Sequence, residues 1–325
     1  MAPLPDEFEL IRRYFAPLAA GVPGAVDLRD DAATLAVPAD TELIVTTDAV
    51  VAGVHFLPDD PAELVAKKAL RVNLSDLAAK GGRPTVYFMT LALSPSIDEA
   101  WVAAFARGLA EDQREYGVAL AGGDTTATPG PLTITVVALG EIARGRALRR
   151  GGARAGDDVY VSGTIGDAAL GLAAVKGELR AIDAPSRAFL ADRYRLPRPR
   201  MTLGPRLLGL AHAALDVSDG LIGDLRHLAE ASGVSADIDA ALVPLSAAAR
   251  NVLAAEPARM ADVLTGGDDY EILFSAPSAA SSALAALARE ADVPLTRIGH
   301  LTAGRGVSVR GADGVAMGRG GYRHF

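Results

Sequence analysis

The sequence predicts a two-domain α/β fold, with α+β as its close variant. Three observations carry the prediction. Strand-like and helix-like segments alternate through both halves of the chain. At 325 residues the chain exceeds one compact core, since a domain usually holds about 100–200 residues. A basic, glycine-containing stretch at residues 144–156 interrupts the alternation. The boundary falls there, giving an N-terminal sheet domain over residues 1–143 and a larger C-terminal α/β domain over residues 144–325.

The elements follow in order. The first 20 residues read as a short amphipathic helix with Phe8, Ile11 and Phe15 on one side, suited to packing or to contact with a second copy. Leu43-Ile44-Val45-Thr46-Thr47 is strand-like. A helix opens at Asp60-Pro61, with Asp60 as N-cap and Pro61 at the first helical position. It stops at Gly81-Gly82, and Lys80 near its end complements the helix dipole. Residues 87–93 are β-like. Ser96-Ile97-Asp98-Glu99 is a capping box whose helix reaches Tyr116 and ends at Gly117. Residues 118–120 and 132–140 are two more strands. In the second half, residues 158–162 form a strand that enters the turn Gly163-Thr164-Ile165-Gly166 and a helix to about Lys176. Pro197 and Pro199 mark a loop. Residues 214–217 are a strand, and 221–231 a helix stopped near Gly233. Residues 271–274 are a strand, 279–290 a helix, and the tail is short β with Gly-rich turns.

Composition removes several function classes. Half of the residues are hydrophobic and 22% are charged, so a full core forms and wholesale disorder is excluded. The net charge of −8 argues against a nucleic-acid binder, which normally carries a basic excess. The absence of cysteine removes disulfide scaffolds, thiolate metal sites and cysteine nucleophiles. Five histidines make a zinc-type cluster improbable. No apolar run approaches the roughly 18 residues of a membrane span, and the acidic start is wrong for a signal peptide. A soluble, cytoplasmic protein is expected.

The informative feature is where the aspartates fall. Asp30-Asp31 precedes Ala32-Ala33. Thr46-Thr47-Asp48 ends the first strand. Asn73-Leu74-Ser75-Asp76 lies on a helix. Gly122-Gly123-Asp124-Thr125-Thr126 follows a strand. Asp216-Val217-Ser218-Asp219-Gly220 joins a strand to a helix, and Gly266-Gly267-Asp268-Asp269-Tyr270-Glu271 precedes a strand. Acids converging without lysine partners repel unless cations neutralise them. Mg²⁺ prefers oxygen ligands and bridges carboxylates to substrate phosphates. Neighbouring glycines admit phosphate to backbone N–H groups. The physical reading is a Mg²⁺–nucleotide site built from acids of both halves. Any single motif reads equally well as a turn or a helix cap; six in one chain shift the balance. There is no P-loop, no strand–G-x-G-x-x-G–helix and no protein-kinase H-R-D or D-F-G set. The turn Gly163-Thr164-Ile165-Gly166 reads as an anion site or, preferably, as a tight turn.

Taken with Val51-Ala52-Gly53-Val54-His55-Phe56, Gly145-Arg146-Ala147-Leu148 and the terminal Gly321-Tyr322-Arg323-His324-Phe325, this set resembles the thiamine-monophosphate kinase family. That family shares its fold with aminoimidazole ribonucleotide synthetase, selenophosphate synthetase and a hydrogenase-maturation dehydratase. The strings occur in family order from about residue 8 to the last residue. The resemblance implies an aminoimidazole ribonucleotide synthetase-like fold and a homodimer whose N-terminal sheets pair. It implies ATP- and Mg²⁺-dependent phosphorylation of thiamine monophosphate to thiamine diphosphate, with the nucleotide in a cleft between the two domains. Carried over by position, Asp31, Thr46, Thr47, Asp48, Asp76, Asp124, Asp216 and Asp219 are the metal set. Asp31, Gly123, Asp124, Arg150 and Ser218 meet ATP. His55, Asp268, Arg319 and Tyr322 meet the thiamine substrate. No residue is assigned as acid or base. Three positions depart from the family pattern: Asp27-Leu28-Arg29 replaces a Gly-containing lead, Asp268 stands where Glu is frequent, and Arg319 where an aromatic is usual. The alternatives are another ATP-using enzyme of the same superfamily, of the aminoimidazole ribonucleotide synthetase type, or a non-catalytic Mg²⁺–nucleotide-binding module. The lack of cysteine disfavours the selenophosphate and hydrogenase-maturation branches.

Overall fold

The structure is a computed structural model that describes residues 4–180 and 182–311. It divides into two compact units. One comprises the residues up to Leu77 together with Gly82–Arg146; the other comprises Ala78–Gly81 and the residues from Ala147 on.

The first unit is built on a four-stranded sheet. Its strands are β1 (Thr41–Val51), β2 (Arg83–Leu93), β3 (Ala119–Ala127) and β4 (Thr133–Ala143), in the order β1-β4-β2-β3. β4 runs antiparallel to both β1 and β2, while β2 and β3 are parallel. The chain opens with α1 (Glu7–Leu10), capped by Asp6, and continues in short π and 3₁₀ turns to Leu28. α2 (Ala62–Ala79) and α3 (Glu99–Tyr116) cover one face of the sheet. That face carries Tyr87, Leu91, Ile134, Val136 and Ala138, all fully buried. α3 approaches α2 closely at Gly108, where a Cβ would lie 2.5 Å from the Glu63 carbonyl oxygen. Arg71 of α2 ties the two helices by a bidentate pair with the buried Asp112, at 2.7 and 2.8 Å. On the opposite face, Val86, Ala121 and Leu139 pack against Ala19, Val22 and Ala25 of the N-terminal segment.

Local readings of the helix starts meet the structure with differences. The capping residue of α3 is Asp98, which accepts from the Trp101 amide; Ser96 pairs with Ser94. Asp60 accepts from the Leu57 amide, and α2 begins at Ala62, with the Pro61 carbonyl taking the Leu64 and Val65 amides. Of the N-terminal apolar trio, Phe8 is 79% exposed, and Leu10 is buried beside Phe15 in its place. A helical turn can bury only one stripe, and the shift into a π turn at Ile11–Phe15 re-aims it.

The second unit holds a six-stranded sheet. Its strands are β5 (Asp157–Ser162), β6 (Ala213–Asp216), β7 (Val234–Asp239), β8 (Ile272–Pro277), β9 (Leu295–Ala303) and β10 (Gly306–Arg310), in the order β10-β7-β9-β5-β8-β6. All pairs are antiparallel except β10 with β7. Helices α4 (Asp167–Val175), α5 (Ala184–Arg195), α6 (Leu221–Ser232), α7 (Ala247–Ala255), α8 (Met260–Thr265) and α9 (Ser281–Ala291) complete it. Both faces of the central strands are covered. Val159, Val161, Leu215 and Leu273 enter one core; Tyr160, Ala214, Ile272 and Phe274 enter the other. Two-sided burial is why these strands read as continuous apolar runs. Lys80, expected to complement a helix dipole, donates its ammonium to the Ala214 carbonyl at 2.9 Å.

Candidate active site

In the first unit the pairing register decides which acids meet. Directly opposed residues share a sheet face, and successive residues alternate. Thr46 opposes Ala138, and Asp48 opposes Val136, so both point to the face covered by α2. Thr46 Oγ1 donates to Asp76 Oδ2 of α2 at 2.5 Å. Thr47 opposes Val137 and faces the other way. Asp124 opposes Thr90 of β2, on the Phe88 and Val137 side. Asp48 and Asp124 thus occupy opposite edge strands and opposite faces, and three strand spacings separate those edges by about 14 Å. Thr46-Thr47-Asp48 lies inside β1 rather than at its end, and Gly122-Gly123-Asp124 lies inside β3.

Around Asp124 the chain forms a cavity of about 410 Å³. Asp30, Asp31, Gly122 and Gly123 line it, with Ile11, Phe15 and Phe88 as its apolar wall. Gly123 is obligatory here, because a Cβ would sit 1.9 Å from the Met89 carbonyl oxygen. Asp31 donates its amide to the Asp30 carboxylate at 2.8 Å. The lead into this pair, Val26, Asp27 and Leu28, holds three successive non-glycine residues at φ +50°, +53° and +56°. His55 lies in the turn after β1, where its Nδ1 accepts from the Val51 amide at 3.1 Å and leaves Nε2 to carry the ring proton.

In the second unit Asp216 closes β6 and is buried; Ser218 and Asp219 form the turn into α6. Asp224, in the first turns of α6, is 1% exposed and accepts from the Asp219 amide at 3.0 Å. Burial, and then the neighbouring Asp219 charge, push its carboxyl up to about 7, against the lowering effect of the Asp219 and Ser218 amides and Arg150. Arg150 is exposed. The Asp268 amide donates to the Ser218 carbonyl at 2.9 Å, and the Tyr270 hydroxyl reaches the Asp268 carboxylate at 3.3 Å.

The rest of that motif is structural. Asp269 is 2% exposed and accepts the Gly166 and Ala168 amides at 2.7 and 3.2 Å. The turn before α4 is therefore filled by the protein's own carboxylate, which settles its two readings in favour of the turn. Glu271 is fully buried between Arg193 and Arg200 and accepts from Ser162 Oγ at 2.6 Å.

The donor chemistry suits a hard cation. Asp30, Asp31, Asp76 and Asp124 with Thr46 in one unit, and Asp216 with Asp219 in the other, offer only oxygen. Among the described residues no three acidic or histidine side chains are grouped closely enough to hold an ion by themselves. Mg²⁺ fits such a set, because it usually takes one or two carboxylates and completes its shell with water and substrate phosphate. Arg319 and Tyr322 lie outside the described residues.

Two family models match the chain: AIR synthase related protein, N-terminal domain, over residues 29–142, and AIR synthase related protein, C-terminal domain, over residues 154–312. The thiamine-monophosphate kinase of Escherichia coli strain K12 is 44% identical over 98% of this chain and 98% of its own length. The chain belongs to the thiamine-monophosphate kinase family. Among solved structures, the thiamine-monophosphate kinase of Stenotrophomonas maltophilia K279a is 45% identical, with a TM-score of 0.81 over 87% of this chain and 90% of that one. A structure described as AaThiL complexed with AMPPCP and TMP is 32% identical, with a TM-score of 0.77 over 98% of this chain and 97% of that one. Two groups beside the predicted residues are not legible as such in the sequence. Ile11 and Phe15 read as packing or as contact with a second copy, yet they wall the Asp124 cavity. Asp224 is not singled out by any motif; its one signal is a carboxylate placed five residues after Asp219, in reach of a turn that ends on glycine.

Proposed function

We propose that the chain transfers the γ-phosphoryl group of ATP directly and in line to the phosphate of thiamine monophosphate, giving thiamine diphosphate, the last step in forming that cofactor. The observation that carries this reading is the relative holding AMPPCP, an ATP analogue, together with TMP, whose fold and length this chain shares. Mg²⁺, when bound, neutralises phosphate charge and aligns the reacting oxygens. Asp31, Thr46, Thr47, Asp48, Asp76 and Asp124 of the first unit, with Asp216 and Asp219 of the second, are the residues to hold it. Gly123 is to present bare backbone to the nucleotide, Ser218 a hydroxyl and Arg150 a guanidinium. His55 and Asp268, with Arg319 and Tyr322, are to contact the thiamine moiety.

The chemistry asks little of a base. A phosphate monoester is largely dianionic near neutral pH, its second pKa being about 6, so the attacking oxygen needs no deprotonation. The obstacle is repulsion between two anions, and phosphoryl transfer is accelerated chiefly by positioning and charge neutralisation. Oxygen-only acids beside glycine suit that task. A reaction that consumes ATP suits the cytoplasm, where we infer it runs.

We infer a homodimer as well. β1 is an edge strand whose outward face exposes Val45 by 58% and Leu43 by 37%, and an exposed apolar edge invites pairing. One preparation tests both readings. ATP with thiamine monophosphate is expected to yield ADP and thiamine diphosphate, whereas thiamine or an aminoimidazole precursor yields none. Absence of ADP with every acceptor would leave a binding module. Sedimentation at micromolar concentration is expected to show twice the chain mass; a monomer removes the dimer.

A further inference from the structure

We propose that Asp224 is a positioning residue for phosphoryl transfer, whose buried carboxylate fixes the Ser218-Asp219 turn and, through it, the Asp268 loop. The inference rests on the kinase reading above and adds a residue that touches neither substrate. Asp224 sits on α6 at 1% exposure, yet its side chain serves the loop behind it: Oδ2 accepts the Asp219 amide at 3.0 Å, and the Ser218 amide bears on the same group. Fixing those amides sets the direction in which Ser218 and Asp219 leave the backbone.

The turn so held is interlocked with its neighbour. Gly220 has φ +109°, and a Cβ there would lie 2.5 Å from the Thr265 carbonyl oxygen. A Cβ on Gly267 would lie 2.2 Å from the Ser218 carbonyl oxygen. That carbonyl takes the Asp268 amide at 2.9 Å, and the Val217 carbonyl takes the Tyr270 amide at 2.8 Å. Asp268 and Tyr270 stand at φ +73° and +51°, strained values for non-glycine residues that persist only where surrounding contacts over-determine them. Burying a carboxylate beside a second carboxylate works against stability, and an apolar residue of similar size would pack α6 at lower cost. The carboxylate is explained by what it holds: the Ser218-Asp219 turn that reads the nucleotide and the Asp268 loop that reads the acceptor become one rigid piece.

The test compares Asp224→Ala, Asp224→Asn and a control, Asp167→Asn. Asp167 is another buried acid of the same unit, bonded to Thr164 and Ser246 away from the turn. Steady-state kinetics with ATP and thiamine monophosphate are read beside thermal melting and titration with AMPPCP and Mg²⁺. Loss of geometry is expected to lower kcat for Asp224→Ala on the order of 100-fold and to weaken AMPPCP binding while the chain stays folded. Asp224→Asn retains one acceptor oxygen and is expected to recover part of that loss. Asp167→Asn is expected to lower the melting temperature and leave kcat alone. The proposal is overturned if Asp224→Ala keeps wild-type kcat and AMPPCP affinity, or loses activity only as the control does. Should Asp224→Ala not fold, Asp224→Asn alone decides by the same readouts. Should the wild-type chain not turn over thiamine monophosphate, the kinase reading falls, and unchanged AMPPCP affinity in the variants then overturns the role of Asp224 separately.

Discussion

Asp124 and Asp48 carry the same charge and the same proposed duty in different surroundings. Both are exposed and neither supports a core, so Asp124→Ala and Asp48→Ala are expected to leave the melting temperature near wild type. Removing one member of a phosphate clamp is expected to lower kcat by roughly 10²–10³-fold. Near-normal turnover of both variants at limiting Mg²⁺ would end their assignment to the metal. At this scale the string Gly122-Gly123-Asp124 marks a place where the structure has a cavity lined by these residues. The sequence was uninformative for Asp269, which shares a string with Asp268 but turns inward to cap α4. Neighbours in sequence point to opposite sides of a turn, and only the fold reveals which side is wet.

At the scale of elements, the lead into Asp30-Asp31 carries a correctable strain. Val26 holds φ +50°, which for a β-branched residue is an outlier, and its side chain is 49% exposed. Val26→Gly removes a strain of about 1–3 kcal/mol and gives back about 0.4–1 kcal/mol in unfolded-chain entropy. The variant is expected to melt higher than wild type; a lower melting temperature would show that Val26 packing outweighs its backbone. Elements with a plain period or a plain stop were readable from the chain. α3 ends at Gly117, in the left-handed conformation at φ +65°, as its glycine announced. α5, α7 and α8 are not legible in the sequence: α5 lacks an apolar stripe, and α7 and α8, at nine and six residues, are too short for a period to stand out. β3 continues through Gly122-Gly123, where a turn was expected, because pairing with β2 is made by backbone groups and needs no side chain.

For the molecule as a whole, one buried acid sets a pH dependence. Burial pushes the Asp269 carboxyl up to about 8, from an ordinary value of 3.8. Between those values the folded chain keeps a proton that the unfolded chain releases, so stability falls as pH rises. This contribution is full below about pH 4 and is exhausted once the folded group ionises near pH 8. Asp269→Asn removes the titration. Its melting temperature, relative to wild type, is expected to rise by a few degrees between pH 6 and pH 8. Parallel curves for the two chains would show that Asp269 is already charged in the folded state. The mixed α/β class was foreshadowed by the alternation of strands and helices, but strand order was not, since register depends on partners far along the chain. Register also limits how this chain can change over generations. A single-residue insertion or deletion between Thr41 and Thr46 would exchange the outlooks of Thr46 and Thr47, taking the hydroxyl away from Asp76 and turning Asp48 through the sheet. Length variation in that strand is therefore tolerable only in steps of two, while the connections before and after it are free to grow by one.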